Sequence, residues 1–304
     1  ACRQNDRAKL SATAMGDLNR ALLSLAGLSV GDSFGERFFG LRWAAVAARQ
    51  VPDGPWQWTD DTHMALSVVE VLREHGSIDE DALASRFAQR YREQPWRGYG
   101  SGAMKLLSQY ADGANWREEA PRMFDGGSYG NGAAMRAGPI GGFFWGEPDR
   151  AAQEGKRSAV VTHAHLEGQA GAIAVAAAAA MAPLRPALSG NDFLEQVIQH
   201  VPPTRTRERI EEARRIGPEE HGRAVGTLGT GAEVAAFDTV PFCLWVAAHH
   251  GFDFETALWA TVAGLGDRDT TCAIVGSIVA LSADIPESWI RLREPLPVGF
   301  DPLL

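Results

Sequence analysis

Residues 170–183 read Ala-Gly-Ala-Ile-Ala-Val-Ala-Ala-Ala-Ala-Ala-Met-Ala-Pro, an almost pure alanine run closed by a proline. A membrane-spanning helix needs ~18 or more uninterrupted apolar residues, and nothing in the chain reaches that length. The run therefore predicts an internal helix whose small side chains let neighbouring helices approach closely. Outward from it the helical spacing continues. Leu18, Leu22, Leu25 and Leu28 fall on three- and four-residue steps, as do Met64, Val68, Val71 and Leu72. Further helices are predicted over residues 80–91, 103–111, 166–181, 193–200, 206–215, 241–250, 254–265 and 270–283. Strand-like alternation over five or more residues is hard to find. The 33 glycines and 16 prolines fall mainly between helical stretches, as at Gly126-Gly127 and Pro202-Pro203. With no internal repeat and no low-complexity linker, residues 1–304 read as all-α: a single compact many-helix domain with long functional loops.

Composition narrows the function classes. An apolar fraction of 45% and a charged fraction of 22% are ordinary for a soluble globular chain. The net charge of −9 argues against general nucleic-acid binding, which needs a basic surface. Cys2, Cys243 and Cys272 are too few and too scattered for a disulfide framework or a zinc knuckle, which points to a reducing, cytoplasmic setting. No leader of the signal-peptide kind is recognisable.

Two acidic clusters stand out. Thr59-Asp60-Asp61 precedes one amphipathic stretch, and Asp267-Arg268-Asp269-Thr270 opens another more than 200 residues later. Either cluster alone reads as a helix cap, because Asp and Thr accept the unpaired amides of a first turn. Together they offer four carboxylates and two hydroxyls, hard oxygen donors of the kind Mg²⁺, Mn²⁺ or Ca²⁺ takes. A helix N-terminus repels cations, so a metal there needs the surplus of negative charge that paired aspartates provide. The chemistry this suggests is metal-assisted hydrolysis, with the substrate open.

Two glycine-rich segments precede helical stretches: Gly98-Tyr99-Gly100-Ser101-Gly102 and Gly127-Ser128-Tyr129-Gly130-Asn131-Gly132. Small residues let a backbone approach a ligand, and amides at a helix start receive phosphates. Such runs are more often plain turns, and neither fits the Walker or Rossmann spacing. The tyrosines within them suit either stacking on a base or ordinary packing. In Thr162-His163-Ala164-His165 the two histidines point in different directions on a helix, which disfavours a shared zinc site. His163 stands as a substrate contact, with a structural role as the alternative.

The order of these motifs resembles the ADP-ribosylglycohydrolase family. Gly31-Asp32-Ser33-Phe34-Gly35, Thr59-Asp60-Asp61-Thr62, Gly130-Asn131-Gly132-Ala133-Ala134-Met135-Arg136, Thr162-His163 and Gly266-Asp267-Arg268-Asp269-Thr270 carry the likeness, which spans about residues 20–283 and leaves short terminal extensions. The segments Phe87–Tyr91, Arg97–Gly102, Gly127–Gly132 and Ala235–Pro241 are similar to the branch that cleaves serine-linked ADP-ribose, poly(ADP-ribose) and O-acetyl-ADP-ribose. The resemblance implies an all-α fold with a metal-containing cleft and two Mg²⁺, Mn²⁺ being the alternative ion. The implied metal ligands are Thr59, Asp60, Asp61, Asp267, Asp269 and Thr270, with Asp60 and Asp61 also catalytic. Gly127, Ser128, Tyr129, Gly130, Asn131 and Gly132 would hold the diphosphate and distal ribose, helped by Gly100, Gly102 and His163. Phe124 or Tyr129 would face the adenine. Implied partners are ADP-ribose-bearing substrates, met by a monomer.

Two departures accompany the resemblance. The branch has a glutamate a few residues beyond the first motif, whereas Glu36 follows Gly35 directly; Glu36 is carried as a further catalytic candidate. Arg268 replaces a small residue between the two aspartates, where it would pair with a carboxylate or a substrate phosphate. The alternatives are an arginine-ADP-ribose hydrolase and a non-catalytic ADP-ribose-binding relative of the crystallin kind.

Overall fold

The computed structural model describes residues 16–40 and 43–303. Its helices, in chain order, are α1 (Leu18–Glu36), α2 (Trp43–Ala47), α3 (Asp60–His75), α4 (Glu80–Glu93), α5 (Ser101–Ala111), α6 (Trp116–Arg122), α7 (Gly138–Phe143) and α8 (Pro148–Val160). They continue with α9 (Leu166–Ala180), α10 (Gly190–Ile198), α11 (Arg205–Ala213), α12 (His221–Leu228), α13 (Ala236–His250), α14 (Phe254–Val262), α15 (Arg268–Val279) and α16 (Glu287–Leu292). Among the described residues there are no strands, only two isolated bridges, Trp56 with Arg293 and Gly130 with Ala235. The all-α expectation is borne out. No helix among the described residues is long and apolar enough to cross a membrane.

The alanine run forms α9, which is buried on every face from Gly168 to Ala180. A helix apolar all round has to lie inside a core, and glycines on its neighbours make room. A methyl on Gly141 of α7 would stand 2.3 Å from the Ala176 carbonyl, and one on Gly155 of α8 would stand 3.0 Å from the Ala172 carbonyl.

A second seam matters more for the site. Gly27, Gly31 and Gly35 recur every four residues along α1 and face α15. Methyls there would lie 2.3 Å from the Gly276 carbonyl, 2.1 Å from that of Cys272 and 2.2 Å from that of Arg268. The two backbones touch directly, which brings Asp32 beside the first turn of α15. An aromatic nest fixes the end of α1 there. Phe34 stacks on Trp289 at 4.5 Å and meets Trp259 edge-on at 5.1 Å.

Several elements depart from the expected pattern. α2, α6, α7, α8, α12 and α16 were not anticipated. In α7 the glycines of Gly138-Pro139-Ile140-Gly141-Gly142 are the contact face of a buried helix. The second glycine loop leads into a single 3₁₀ turn, Asn131–Ala133, before α7. α14 stops at Val262 because Leu265 and Gly266 adopt left-handed φ of 64° and 66°. That break sets the chain for α15.

Candidate active site

Asp32, about one turn from the C-terminal end of α1, organises the first acidic cluster. Its Oδ2 accepts from the Thr59 amide at 2.9 Å, the Thr62 amide at 3.1 Å and the Thr62 hydroxyl at 2.5 Å, while Oδ1 accepts from Thr59 Oγ1 at 2.9 Å. Thr59 is the N-cap of α3, and its hydroxyl also lies 3.0 Å from Asp61 Oδ2. A buried carboxylate one helix away therefore sets where α3 begins. Asp60 and Asp61 occupy its first turn, Asp61 almost wholly buried.

Asp267 sits at the cap position of α15 but does not cap it with its side chain. Its Oδ2 instead accepts from Asn131 Nδ2 at 2.7 Å, and Asn131 also donates to Thr239 Oγ1 at 3.1 Å. The capping alternative fails for Asp267. One asparagine joins the second glycine loop to the second acidic cluster. Arg268 behaves differently from either role foreseen for it. It turns away from the aspartates, donates to the Phe38 carbonyl and lies over the Phe39 ring, tying the turn after α1 to the start of α15.

The electrostatics are those of crowded acids. Burial raises the Asp32 carboxyl to about 6 against the hydrogen bonds that favour its ionised form. Burial, then the charges of Asp32 and Asp267, push Asp60 up to about 7. Asp61 and Asp269 are raised well above the ordinary carboxylate range, again by burial first and neighbouring acids second. Asp61 Oδ1 and Asp269 Oδ1 are buried without a hydrogen-bond partner among the described residues. Orphaned carboxyl oxygens in company with threonine hydroxyls are a donor set suited to hard divalent cations once ionised. The fit is one of chemistry rather than of a finished cage. Among the described residues no three His, Cys, Asp or Glu side chains form a complete metal-binding group, and Thr59 draws Asp32 and Asp61 onto its own hydroxyl instead.

These acids floor one end of a cavity of about 550 Å³. Asp60, Asp61, Asp267, Asp269 and Thr270 line that cavity together with Gly100, Gly102, Phe124, Ser128, Tyr129, Gly130, Asn131, Gly132 and His163. Most of the residues singled out from the sequence thus meet in one place. Three do not line it. Thr59 lies beneath, as the cap already described. Gly127 (φ 96°) packs where a methyl would be 2.5 Å from the His165 amide, so it supports the loop from behind. Glu36 lies at the exposed end of α1; partial burial and Asp32 raise its carboxyl.

The walls explain the loop sequences. Phe124 is largely exposed, has a φ of 53° and lies over Gly102, where a methyl would stand 2.9 Å from its ring. Tyr129 stacks on Phe237 at 6.1 Å and meets His165 edge-on. Within the loop the Gly130 amide donates to Ser128 Oγ at 3.2 Å and the Asn131 amide to the Val234 carbonyl at 3.1 Å. Those two amides are committed to the protein. His163 is half-buried at the cavity wall, and desolvation holds its imidazole down to about 3, so the ring is neutral.

Sequence reasoning missed Asp32 as a site residue, although its motif was noted. It also missed the strap 229–235, whose Glu233 and Val234 line the same cavity. Asp238 holds that strap by accepting from the Glu233 amide at 2.8 Å, and the Asp267 amide donates to the Thr230 carbonyl at 3.0 Å. Gly229 and Gly231 mark a turn in the sequence, and both are left-handed here, but nothing local places that turn at the cavity. Met64, Leu106, Met123 and Met135 supply the apolar lining.

Comparison with known proteins gives this arrangement a place. The description ADP-ribosylglycohydrolase matches residues 13–299. The chain belongs to the ADP-ribosylglycohydrolase family. It is 30% identical to the ADP-ribosylhydrolase ARH3 of Bos taurus over 270 residues, covering 76% of this chain and 73% of that one. The Homo sapiens ADP-ribosylhydrolase ARH3 is equally similar, 30% over 271 residues with the same coverage. An uncharacterised protein of Archaeoglobus fulgidus is 30% identical over 283 residues, 88% of this chain and 89% of its own. Among solved structures, an ADP-ribosylglycohydrolase-related protein complex superposes with a TM-score of 0.63 at 24% identity, covering 91% of this chain and 93% of that one. That likeness establishes an ADP-ribosylglycohydrolase-like fold.

Proposed function

We propose that this family member is a magnesium-dependent hydrolase that releases ADP-ribose from O-linked conjugates: serine-linked ADP-ribose, poly(ADP-ribose) or O-acetyl-ADP-ribose. The carrying observation is the single cavity in which Asp60, Asp61, Asp267 and Asp269 meet the 128–132 loop and His163. Similarity to proteins named ADP-ribosylhydrolase supports the substrate class. Residues 1–304 would then act as one catalytic unit, as a monomer, with the cavity built from one chain.

Thr59, Asp60, Asp61, Asp267, Asp269 and Thr270 would hold the divalent ions. When bound, such ions supply Lewis-acid charge beside the anomeric carbon and help orient the attacking water. The protein's own residues do the rest. The 128–132 loop and His163 would seat the diphosphate. Phe124, with Val234 of the strap lining the same cavity, would cover the adenine and exclude water. Asp60 or Asp61 would take the proton of the water as its oxygen bonds to the anomeric carbon. The bond from that carbon to the acceptor oxygen would break, and the acceptor oxygen would leave as a hydroxyl by taking that proton back or one from solvent. Asp32 touches no substrate in this reading; it positions Thr59, Thr62 and, through them, the carboxylates.

The test is a substrate panel with serine-linked, arginine-linked, polymeric and O-acetyl ADP-ribose, run with Mg²⁺, with Mn²⁺ and with chelator. Release from the O-linked members, lost on chelation and in Asp60→Ala and Asp269→Ala, is the expected result. Preference for the arginine linkage would move the leaving group. Tight ADP-ribose binding with no release from any member would overturn the hydrolase reading.

A further inference from the structure

Arg136 is the largest charged side chain that the fold encloses completely, with no exposed surface at all. No carboxylate pairs with it among the described residues. Its guanidinium donates instead to the carbonyls of Gly132 at 3.0 Å and Ser158 at 2.8 Å and to the Thr162 hydroxyl at 2.9 Å, with Phe87 beneath its plane at 4.6 Å. Burying a cation among neutral acceptors is unfavourable, and desolvation lowers its basicity to about 9. Such a placement calls for a task beyond packing.

The next link is Thr162. Its Oγ1 receives the Arg136 N–H and lies 2.7 Å from His163 Nδ1. A guanidinium only donates, and a hydroxyl has one hydrogen to give. If Nδ1 carried the imidazole proton, Thr162 would accept twice and its own buried O–H would point at no acceptor. With Nδ1 bare, both contacts of the Thr162 hydroxyl are satisfied: Arg136 donates to Thr162, and Thr162 donates to Nδ1. The single ring proton then resides on Nε2. That nitrogen lies beside Gly130 and Gly132, where methyls would be 3.4 Å and 3.2 Å away, and the ring borders the cavity. Gly168 completes the cradle, since a methyl there would meet the His163 Cβ at 2.9 Å.

We infer that Arg136 and Thr162 are positioning residues that lock His163 as a neutral Nε2–H donor aimed at an anionic oxygen held on the 130–132 loop. With the Gly130 and Asn131 amides already committed, the loop needs a donor from outside itself, and His163 supplies one. Neutrality has a use here: the ring gives a directional hydrogen bond without adding a cation that would be fixed at one protonation state only in acid. The identity of the anion as the diphosphate of ADP-ribose rests on the proposed function; the proton assignment does not.

The experiment uses ¹⁵N-labelled full-length protein without ligand, read by long-range ¹H–¹⁵N correlation of the histidine rings. His163, assigned by its loss in His163→Asn, is expected to show an acceptor-type Nδ1 and a protonated Nε2 across neutral pH. Thr162→Val, isosteric but without the hydroxyl, is expected to give a mixture of tautomers, and Thr162→Ser to restore the single form. Calorimetry with ADP-ribose is expected to show about five- to tenfold weaker binding in Thr162→Val and recovery in Thr162→Ser, the size of one lost hydrogen bond. A wild-type ring protonated on Nδ1 overturns the inference without any variant having to fold. So does an unchanged tautomer in a folded Thr162→Val protein. Absence of ADP-ribose binding by the wild type, with the expected tautomer intact, would sink the proposed ligand and leave the lock standing.

Discussion

Asp32 shows how one side chain can govern a site without facing it. Its four hydrogen bonds all go to Thr59 and Thr62, and those residues start the helix that carries Asp60 and Asp61. Asparagine has the same shape and keeps one acceptor oxygen, so Asp32→Asn tests charge separately from architecture. Removing one of several mutually repelling buried charges is expected to raise the thermal midpoint of the metal-free protein. The same change is expected to weaken Mg²⁺ binding about tenfold, the usual cost of losing a partner of a metal-ligating group. Calorimetric titration with Mg²⁺ beside a melting curve reads both; tighter Mg²⁺ binding in the variant would count against the role given to Asp32.

At the scale of elements, the α1–α15 seam and the first glycine loop make opposite demands on glycine. A methyl on Gly31 would be driven to 2.1 Å from the Cys272 carbonyl, and helix backbone cannot yield locally. Gly31→Ala is expected to cost about 1–3 kcal/mol in urea unfolding, as overpacking does, and to lower activity by moving Asp32. Gly100 has a φ of −61° and nothing within 4 Å of a built methyl. Gly100→Ala is expected to leave stability within about 0.5 kcal/mol of wild type while raising KM, because the methyl enters the cavity. Equal stability losses in both variants would contradict this division. The seam is also where sequence reading is weakest. Gly31 and Gly35 were read as part of a motif, and nothing in one chain says which backbone they touch.

On the scale of the whole molecule, charge and metal are coupled. The folded, metal-free acids titrate above their ordinary range, Asp32 at about 6 and Asp60 at about 7 against a reference of 3.8. A carboxyl raised by folding contributes stability that is fully present below its unfolded value and is lost as pH rises through the folded one. The metal-free protein therefore loses this contribution between about pH 4 and 7. A divalent ion needs the ionised carboxylates, so the increment in Tm on adding Mg²⁺ is expected to be larger at pH 8, about 4 °C at a hundredfold excess over Kd, than at pH 5. Melting curves at both pH values with Mg²⁺ and with chelator check the sign; a larger increment at pH 5 would refute it. Legibility follows the same division of scales. The all-α architecture was readable because helical periodicity is local, and the acidic clusters because their donors are adjacent in sequence. The strap 229–235, the orientation of Arg268 and the Arg136–Thr162–His163 chain were not. Each depends on contacts between segments whose proximity no local pattern encodes.

The seam between α1 and α15 has a consequence for how the protein is made. More than 200 residues lie between Asp61 and Asp267, so at about 5–20 residues per second a ribosome needs roughly 10–40 s to supply the second half of the site. Throughout that interval the glycine face of α1 and the ring of Phe34 have been synthesised without the helices that cover them. The nascent chain thus leaves that face and ring uncovered until α15 and Trp289 emerge, and any product truncated before Asp267 carries the glycine loops and one pair of acids with no means of completing the centre.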